Sequence, residues 1–297
     1  MAGGWSKYGA VQDQIHTSLE EAVSPEQMAI HAEALGISKV SKSRWQSFYL
    51  AITAGAFIAI AFVFYTTVTT GSAGMLYGLV KFVGGIAFSL GLILVVVCGG
   101  ELFTSSTLTL IARANNHIST SQVLKHWLVV YVGNALGAVF LVLLIWLAQQ
   151  HLVNSGAWGI NAMSIAQHKV HHNFSQAVAL GILCNMMVCL AIWMAFACKS
   201  VTDKVIVMLL PISMFVASGF EHCIANLFMI PLGIIIKTFA SAEFWSLTNS
   251  SPELFADLTF TNFIVNNLIP VTIGNIIGGA LIGLAYWQIY LRLNEEE

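Results

Sequence analysis

The chain has 297 residues, of which 57% are hydrophobic and only 9% are charged, and its mean hydropathy of +0.80 is far above that of soluble globular proteins. The formal net charge of −2 and the lack of a basic cluster argue against a nucleic-acid partner. Five cysteines lie in apolar segments without a C-x-x-C pair, which disfavours a disulfide framework or a metal site. The composition therefore predicts an integral membrane protein.

Residues 1–45 are polar and are predicted to form a cytoplasmic segment that contains one short helix. The run Ser24-Pro25-Glu26-Gln27 has the S-x-x-Q form of a capping box, with proline at the first helical position. Apolar residues follow at helical spacing, and Gly36 is predicted to end the helix. Two roles stay open for this helix: it lies at the membrane surface, or it is a gate that covers the mouth of a pore.

Six hydrophobic regions follow, at residues 46–69, 82–112, 127–150, 174–198, 205–237 and 262–291. If the N-terminus is inside, the inner segments hold nine lysine and arginine residues and the outer loops hold three. Because positive charge is enriched on the cytoplasmic side, both termini are predicted to be cytoplasmic. Residues 151–173 then form a periplasmic loop, and residues 292–297 form a cytoplasmic tail.

Two of these regions are too long for one helix and carry polar residues at their centres. As one helix, region 82–112 would extend about 46 Å, whereas the hydrocarbon core is about 30 Å thick. Its centre reads CGGELFTSST, and the centre of the fifth region reads MFVASGFEHCIANLF. Non-helical backbone at this depth is tolerated only where it is buried or lines a cavity. We therefore expect the second and fifth helices to be interrupted and to form walls of a transport pathway.

A repeated motif predicts two related halves. The pattern G-N-x-x-G occurs at Gly133–Gly137 and again at Gly274–Gly278, and the two acidic positions in the breaks, 101 and 221, are 120 residues apart. The halves are residues 46–150 and 174–291, and each crosses the membrane three times. An odd number of crossings gives the two halves opposite orientations. Inverted repeats of this kind predict a binding site at the interface between the halves. The G-x-x-x-G spacing in both motifs predicts close packing of helices.

Ionisable residues inside a membrane are costly and are therefore candidates for function. Among the acidic residues only Glu101 and Glu221 fall inside the hydrophobic regions, and among the histidines only His222 does. The carboxylates are predicted to anchor groups freed at the breaks, with direct ion binding as the alternative. His222 donates a hydrogen bond when neutral and holds an anion when charged, which favours a pore-lining role. Thr104, in the opposite break, is a natural second donor.

Apolar side chains beside a polar site gate channels by excluding water. Phe88 and Leu92 share one helix face, and Leu102 and Phe215 fall near the two breaks, so these four are candidates, with core packing as the alternative. The outer run HKVHH at 168–172 has a spacing that can bind metal, but a cationic vestibule that attracts anions is the favoured interpretation.

Several segments resemble the formate/nitrite transporter family, namely FYLAITAG, GELFTSSTL, HKVHH, MFVASGFEHCIANLFMIP and NLIPVTIGNIIGG. The resemblance extends from about Phe48 to Leu293. It implies an aquaporin-like, all-α fold of six transmembrane helices in two inverted repeats of three, with the second and fifth helices interrupted. It also implies a homopentamer with one pore in each subunit.

The resemblance further implies which residues serve the substrate. The implied pathway residues are His222, Thr104, Asn185, Lys169 and Glu221, with Lys169 in the vestibule. The implied constrictions are Leu102 with Phe215 on the outer side, and Phe88 with Leu92 on the inner side.

The expected function is a channel or transporter for formate in the bacterial inner membrane, which works in both directions and depends on pH. His222 either protonates the anion, which removes the cost of passing a bare charge through an apolar ring, or only orients it. A channel for another small monovalent anion, nitrite or hydrosulfide, is the alternative. The expected partners are formate and related small monocarboxylates, the lipid bilayer and further copies of the chain.

Other classes are disfavoured by the sequence. A membrane enzyme or sensor lacks support because the membrane regions show no Cys–His, Ser–His or H-E-x-x-H arrangement, so we expect no catalytic residue, metal or cofactor. Water or glycerol conduction lacks the paired N-P-A signature of aquaporins.

Overall fold

The computed structural model describes residues 23–293, and every regular element in that range is helical. The helices are α1 (Pro25–Ser41), α2 (Arg44–Thr69), α3 (Tyr77–Cys98), α4 (Phe103–Ser106), α5 (Leu110–Ala114), α6 (Thr120–Leu147), α7 (Ala157–Val170), α8 (Phe174–Phe196), α9 (Val201–Ala217), α10 (Cys223–Phe239), α11 (Ala242–Leu247), α12 (Phe260–Asn262) and α13 (Ile269–Trp287). A 3-10 turn joins α4 to α5, and π-helical turns join α12 to α13.

The apolar spans agree with the six predicted regions. Helices α2, α3, α6 and α8 and the helical stretch Pro252–Arg292 are each long and apolar enough to cross a membrane. The fifth region is divided between α9 and α10, which have 17 residues each and extend about 26 Å each. The expected all-α membrane fold with interrupted second and fifth helices is therefore confirmed.

Both interruptions begin with the same backbone turn. We call Gly99–Leu102 the first break and Ser218–His222 the second break. Gly99 (φ 86°) and Gly219 (φ 74°) are left-handed, a conformation that glycine adopts without the steric cost that a Cβ brings. In each break the N–H of the following residue donates to the carbonyl five residues earlier. Gly100 donates to Val95 O at 2.8 Å, and Phe220 donates to Phe215 O at 3.0 Å. These are Schellman turns, so each helix ends with its last carbonyls partly satisfied.

A buried asparagine of α6 closes the first break. Asn134 Nδ2 donates to the carbonyls of Ala51 (2.7 Å) and Glu101 (2.9 Å), and its Oδ1 accepts from the N–H of Phe103 (2.9 Å). One side chain thus joins a carbonyl inside the break, the first N–H of α4 and a carbonyl of α2, where lipid offers no partner.

Asn275 of α13 closes the second break in the same way. Its Nδ2 donates to the carbonyls of Gly181 (2.8 Å) and Glu221 (2.9 Å), and its Oδ1 accepts from the N–H of Cys223 (2.9 Å). The G-N-x-x-G motifs therefore contain, besides glycines, the residues that hold both broken helices, a role that sequence reasoning missed.

One contact links the equivalent positions of the two halves directly. Tyr131 and Thr272 are 141 residues apart, as Asn134 and Asn275 are, and their hydroxyl oxygens lie 3.0 Å from each other. A two-fold axis produces this kind of contact between equivalent residues. It supports the division into repeats at 46–150 and 174–291, which stays a prediction.

The glycines of the two motifs bring helices into close contact. A Cβ on Gly137 would lie 2.0 Å from the carbonyl oxygen of Ile52, and one on Gly278 would lie 2.3 Å from that of Ile182. Helix α6 thereby packs on α2, and α13 packs on α8. The packing role predicted for the G-x-x-x-G spacing is confirmed within the subunit.

Helix α1 begins at the predicted capping box, in which Ser24 and Gln27 bond reciprocally. The expected end at Gly36 is wrong, because α1 continues to Ser41. Gly36 instead meets α5, where an added Cβ would lie 3.2 Å from Ala112 Cβ. Because glycine has no Cβ, Gly36 lets α1 and α5 approach each other closely, and the helix continues past it.

Helices α1 and α7 lie at opposite ends of α2, which is about 39 Å long. Helix α1 ends just before α2 begins, whereas α7 packs on its last turns, where Trp158 Nε1 donates to Thr67 Oγ1 (3.0 Å). We call these two sides of the molecule the α1 face and the α7 face. The segment predicted as a periplasmic loop is thus mainly the 14-residue helix α7.

Replacing Asn134 by alanine tests the closure of the first break. The variant removes the partner of one N–H and one carbonyl at the break, so we expect the free energy of unfolding to fall by about 2–4 kcal/mol. Thermal unfolding in detergent measures this. Asn266→Ala is the matched control, because the Asn266 amide donates only to Asn262 Oδ1 (3.2 Å). Equal unfolding temperatures for the two variants would contradict the closure.

Candidate functional site

The two broken helices meet at a contact between Thr104 and His222. Thr104 Oγ1 lies 3.1 Å from His222 Nε2, and both side chains are buried, with His222 only 3% exposed. Their positions follow from the breaks, because Thr104 is in the first turn of α4 and His222 is the N-cap of α10. The structure thus brings together the two donors that the sequence placed in opposite breaks.

The capping role of His222 determines which ring nitrogen carries the proton. Its Nδ1 accepts a hydrogen bond from the N–H of Ala225 at 3.2 Å. In the neutral ring the proton is therefore on Nε2, which donates to Thr104 Oγ1. His222 presents an N–H donor at the centre of the molecule, and sequence reasoning did not foresee that it also caps a helix.

Asn185 of α8 supports the turn that carries Thr104. Its Nδ2 lies within hydrogen-bonding distance of the Thr104 carbonyl (3.2 Å), Thr107 Oγ1 (3.1 Å) and the Asn275 carbonyl (2.6 Å). The side chain is fully buried. Its contacts are those of a residue that positions the turn of Thr104, and its place in the pathway stays a prediction.

A cavity of about 450 Å³, which we call the vestibule, opens on the α7 face and reaches His222. Five of the predicted site residues line it: Phe88, Lys169, Phe215, Glu221 and His222. Four others are buried outside its lining: Leu92, Thr104, Leu102 and Asn185. The structure therefore separates the predicted site residues into a vestibule group and a deeper group.

Two aromatic rings, from Phe88 and Phe215, lie at the floor of the vestibule. The rings of Phe88 and Phe215 lie 6.0 Å apart, edge to face, and Phe215 stacks on the His222 ring at 6.2 Å. Phe88 lines the vestibule on the α7 face, whereas Leu92, one turn further along α3, lies outside its lining, so their predicted pairing on the inner side stays a prediction.

Leu102 lies outside the vestibule lining, and its predicted pairing with Phe215 stays a prediction. It lies in the first break, and its carbonyl accepts from the hydroxyls of Ser105 (3.0 Å) and Ser106 (2.9 Å). Its neighbour Glu101 turns toward α1. Leu102 is fully buried, and Phe215 is in the last turn of α9, just before the second break.

Glu221 is buried and paired with Lys169 of α7. Its Oε1 lies 3.0 Å from Lys169 Nζ, and its Oε2 accepts from the amides of Asn226 (2.7 Å) and Asn267 (3.2 Å). The Lys169 side chain is only 12% exposed. This lysine both compensates the charge of Glu221 and lines the vestibule.

Glu101 has a matching arrangement on the α1 face. Its two oxygens lie 2.7 Å from Lys39 Nζ and 2.5 Å from Lys42 Nζ, and both lysines come from the α1 segment. The sequence hypothesis that the glutamates anchor groups freed at the breaks needs correction. Asparagines satisfy the freed backbone groups, and lysines compensate the carboxylates.

The lysine partners of Glu101 were missed by sequence reasoning, although a buried carboxylate by itself calls for a nearby cation. A second histidine was also missed. His126 was counted outside the third hydrophobic region, but it lies in α6, is 7% exposed and approaches Glu101 Oε2 to 3.8 Å.

Two histidines of the run HKVHH, His168 and His172, line the vestibule without adding charge at neutral pH. Burial lowers the pKa of His168, and the positive charges of its neighbours lower it further. Burial also lowers the pKa of His172, an effect that Glu221 opposes. Both rings are therefore neutral near pH 7 and become cationic only in acid.

The metal interpretation of this run has no geometric support. His171 bonds to Asp257, while the rings of His168 and His172 meet edge to face at 5.2 Å. Across residues 23–293, no three His, Cys, Asp or Glu side chains are gathered as a metal ion requires.

An all-helical membrane protein whose two broken helices meet at a buried donor pair, below an open vestibule, has the architecture of a channel or transporter for small solutes. Residues 26–288 match the Formate/nitrite transporter family, and the chain belongs to that family. The expected family is therefore confirmed.

Individual relatives agree over most of their length. Formate channel FocA of Escherichia coli (strain K12) is 58% identical over 272 residues, which cover 91% of this chain and 95% of that protein. FocA of Haemophilus influenzae is 52% identical over 270 residues, with the same coverage of 91% and 95%. A solved structure described as a pentameric formate channel with formate bound has a TM-score of 0.80 at 57% identity, and covers 84% of this chain and 98% of that one.

A double-mutant cycle tests the pairing of Lys169 with Glu221. Lys169→Met leaves a buried carboxylate without its cation, so we expect the free energy of unfolding to fall by about 3–5 kcal/mol. Adding Glu221→Gln removes the uncompensated charge and is expected to restore most of that loss. Thermal unfolding of the purified protein in detergent measures both changes.

Lys237→Met is the control for this cycle, because Lys237 donates only to the backbone carbonyls of Ala256 (3.0 Å) and Leu258 (3.1 Å). We expect a loss of about 1 kcal/mol for it. If Glu221→Gln destabilised the Lys169→Met protein further, the two side chains would not be compensating each other.

Proposed function

We propose that this protein is a channel for formate in the bacterial inner membrane, which conducts in both directions and depends on pH. The observation that carries the proposal is the buried Thr104–His222 contact where the two broken helices meet, directly below the vestibule. The 58% identity to a formate channel over 91% of the chain supports formate as the substrate.

The geometry supports a defined order of events for an entering anion. The anion first enters the vestibule, where lysines make the potential favourable. It then meets the paired rings of Phe88 and Phe215, which exclude water and raise the cost of a bare charge. Beside these rings, in the same cavity, the Nε2–H of His222 replaces part of the lost hydration by donating to a carboxylate oxygen. The Thr104 hydroxyl offers a second donor at the same place.

The tautomer of His222 supports the orienting role over proton delivery from the neutral ring. If Nε2 gave its proton to formate, the neutral ring would become an anion, which a buried apolar site disfavours. A ring that delivers a proton must first be charged, and protonation at Nδ1 would break the bond from the N–H of Ala225. Acid pH therefore acts on the cap of α10 as well as on the substrate, which is a physical route to pH-dependent conduction.

Assembly and orientation belong to the same proposal. The related structure at TM-score 0.80 is described as pentameric, and this supports a homopentamer with one pathway in each subunit. The excess of lysine and arginine in the inner segments supports cytoplasmic termini. In that orientation the α1 face is cytoplasmic and the vestibule opens to the periplasm.

Nitrite or hydrosulfide conduction is the alternative, since the family name includes nitrite. All three ions are small and monovalent, and one hydrogen-bond donor at His222 does not by itself distinguish them. Competition with formate during uptake into liposomes that contain the purified protein separates them, because the preferred substrate inhibits at the lowest concentration.

Formate flux into such liposomes, with and without an imposed pH gradient, tests the proposed function. For the wild type we expect uptake above that of empty liposomes, and we expect acid outside to accelerate it. His222→Asn removes the central Nε2–H donor, so we expect flux to fall roughly tenfold and its pH dependence to change.

His31→Asn is the control, because His31 is exposed on α1 and is expected to leave flux unchanged. Equal flux for wild type and His222→Asn at every pH would exclude a role for this histidine. If wild-type liposomes took up no more formate than empty ones, formate would be the wrong substrate.

A further inference from the structure

Lys81 of α3 is a vestibule cation that no sequence pattern singled out. It lines the vestibule, where its Nζ lies 3.3 Å from Tyr65 Oη and 5.6 Å from the centre of the Tyr77 ring. Among the described residues no carboxylate pairs with it, whereas Lys169 is paired with Glu221. Since His168 and His172 are neutral near pH 7, Lys81 is the main uncompensated positive charge facing the entering anion.

Tyr65 of α2 provides a second donor beside this charge. Its hydroxyl oxygen accepts a hydrogen bond from Lys81, so the phenol hydrogen stays available for another acceptor. A hydroxyl that accepts from a cation is polarised and donates more strongly. Lysine and tyrosine together present one N–H and one O–H, which suits the two oxygens of a carboxylate.

Packing holds the tyrosine ring in this position. Tyr65 is 6% exposed, and a Cβ on Gly84 would lie 2.7 Å from its Cε2, so only glycine leaves room for the ring there. The ring of Phe62 contacts it edge to face at 5.6 Å. The hydroxyl is therefore placed by the core, and little order has to be gained when a ligand binds.

Lys81 and Tyr65 also stand between two cavities. A side pocket of about 220 Å³ adjoins the vestibule and shares Tyr65, Tyr77 and Lys81 with it. Polar side chains on its far side include Thr69 and Asn161. One water occupies roughly 30 Å³ of liquid volume, so the pocket has room for a three-heavy-atom carboxylate together with water.

We propose that Lys81 and Tyr65 form an anion-binding site at the entrance of the pathway, which takes a small carboxylate before it reaches Phe88 and Phe215. One carboxylate oxygen accepts from Lys81 Nζ and the other from the Tyr65 hydroxyl. The identity of the ligand rests on the proposed formate function. The site raises the local concentration of the anion, and it releases the anion toward the narrow part of the pathway.

Formate uptake into liposomes, measured against formate concentration at neutral pH, tests the site. Lys81→Gln removes the charge and Tyr65→Phe removes only the hydroxyl. We expect each to raise the half-saturating formate concentration by about threefold to tenfold, with the maximal rate changed by less than about twofold. Because the charge acts through the solvent, raising the ionic strength from about 10 to 150 mM should weaken wild-type uptake at low formate and have less effect on Lys81→Gln.

Lys237→Gln is the matched control, since it removes one positive charge from the α7 face away from the vestibule lining. We expect it to keep the wild-type half-saturating concentration. Tyr65→Phe preserves the ring packing, so its result decides the question even if Lys81→Gln folds poorly.

The wild-type protein and the variants answer separate questions. Formate uptake by wild type above that of empty liposomes tests the channel, and the change on substitution tests the site. If both variants kept the wild-type half-saturating concentration and salt dependence while still carrying formate, the entrance site would be overturned and the channel would stand.

Discussion

Backbone that leaves a helix inside a bilayer must find all its hydrogen-bond partners within the protein, because lipid offers none. Asn134 and Asn275 meet this requirement, each with two bonds to carbonyls and one from an N–H across a break. With these groups satisfied, α4 and α10 begin inside the protein. Thr104 and His222 meet because both helices start there, so the site depends on two amides that are not part of it.

The glutamates in the two breaks are subject to a second constraint, because burying a charge without a partner is costly. Glu101 is compensated by two lysines of the α1 segment, and Glu221 by Lys169 of α7. These pairs join each break to a segment on one face of the molecule. They also neutralise negative charge along a route meant for anions, which would otherwise repel the substrate.

The positive charge available in the vestibule depends on which of its cations are already paired. Lys169 is paired with Glu221, and the nearby histidines are neutral near pH 7, so the proposed entrance site rests on Lys81 beside Tyr65. Deeper in, the rings of Phe88 and Phe215 form an apolar floor next to His222. In the proposed pathway, a charged entrance thus leads to two apolar rings with a buried donor beside them.

The sequence by itself determined the membrane class, the six spans, both breaks and the central pair Thr104 and His222. These features depend on hydropathy, span length and glycine conformation, which are local properties of the chain. Only the tertiary structure decided that Phe88 pairs with Phe215 and that Lys39 reaches Glu101, 62 residues away. Such contacts depend on how each helix is rotated and how deep it lies against its neighbours, and no pattern within a single segment carries that information.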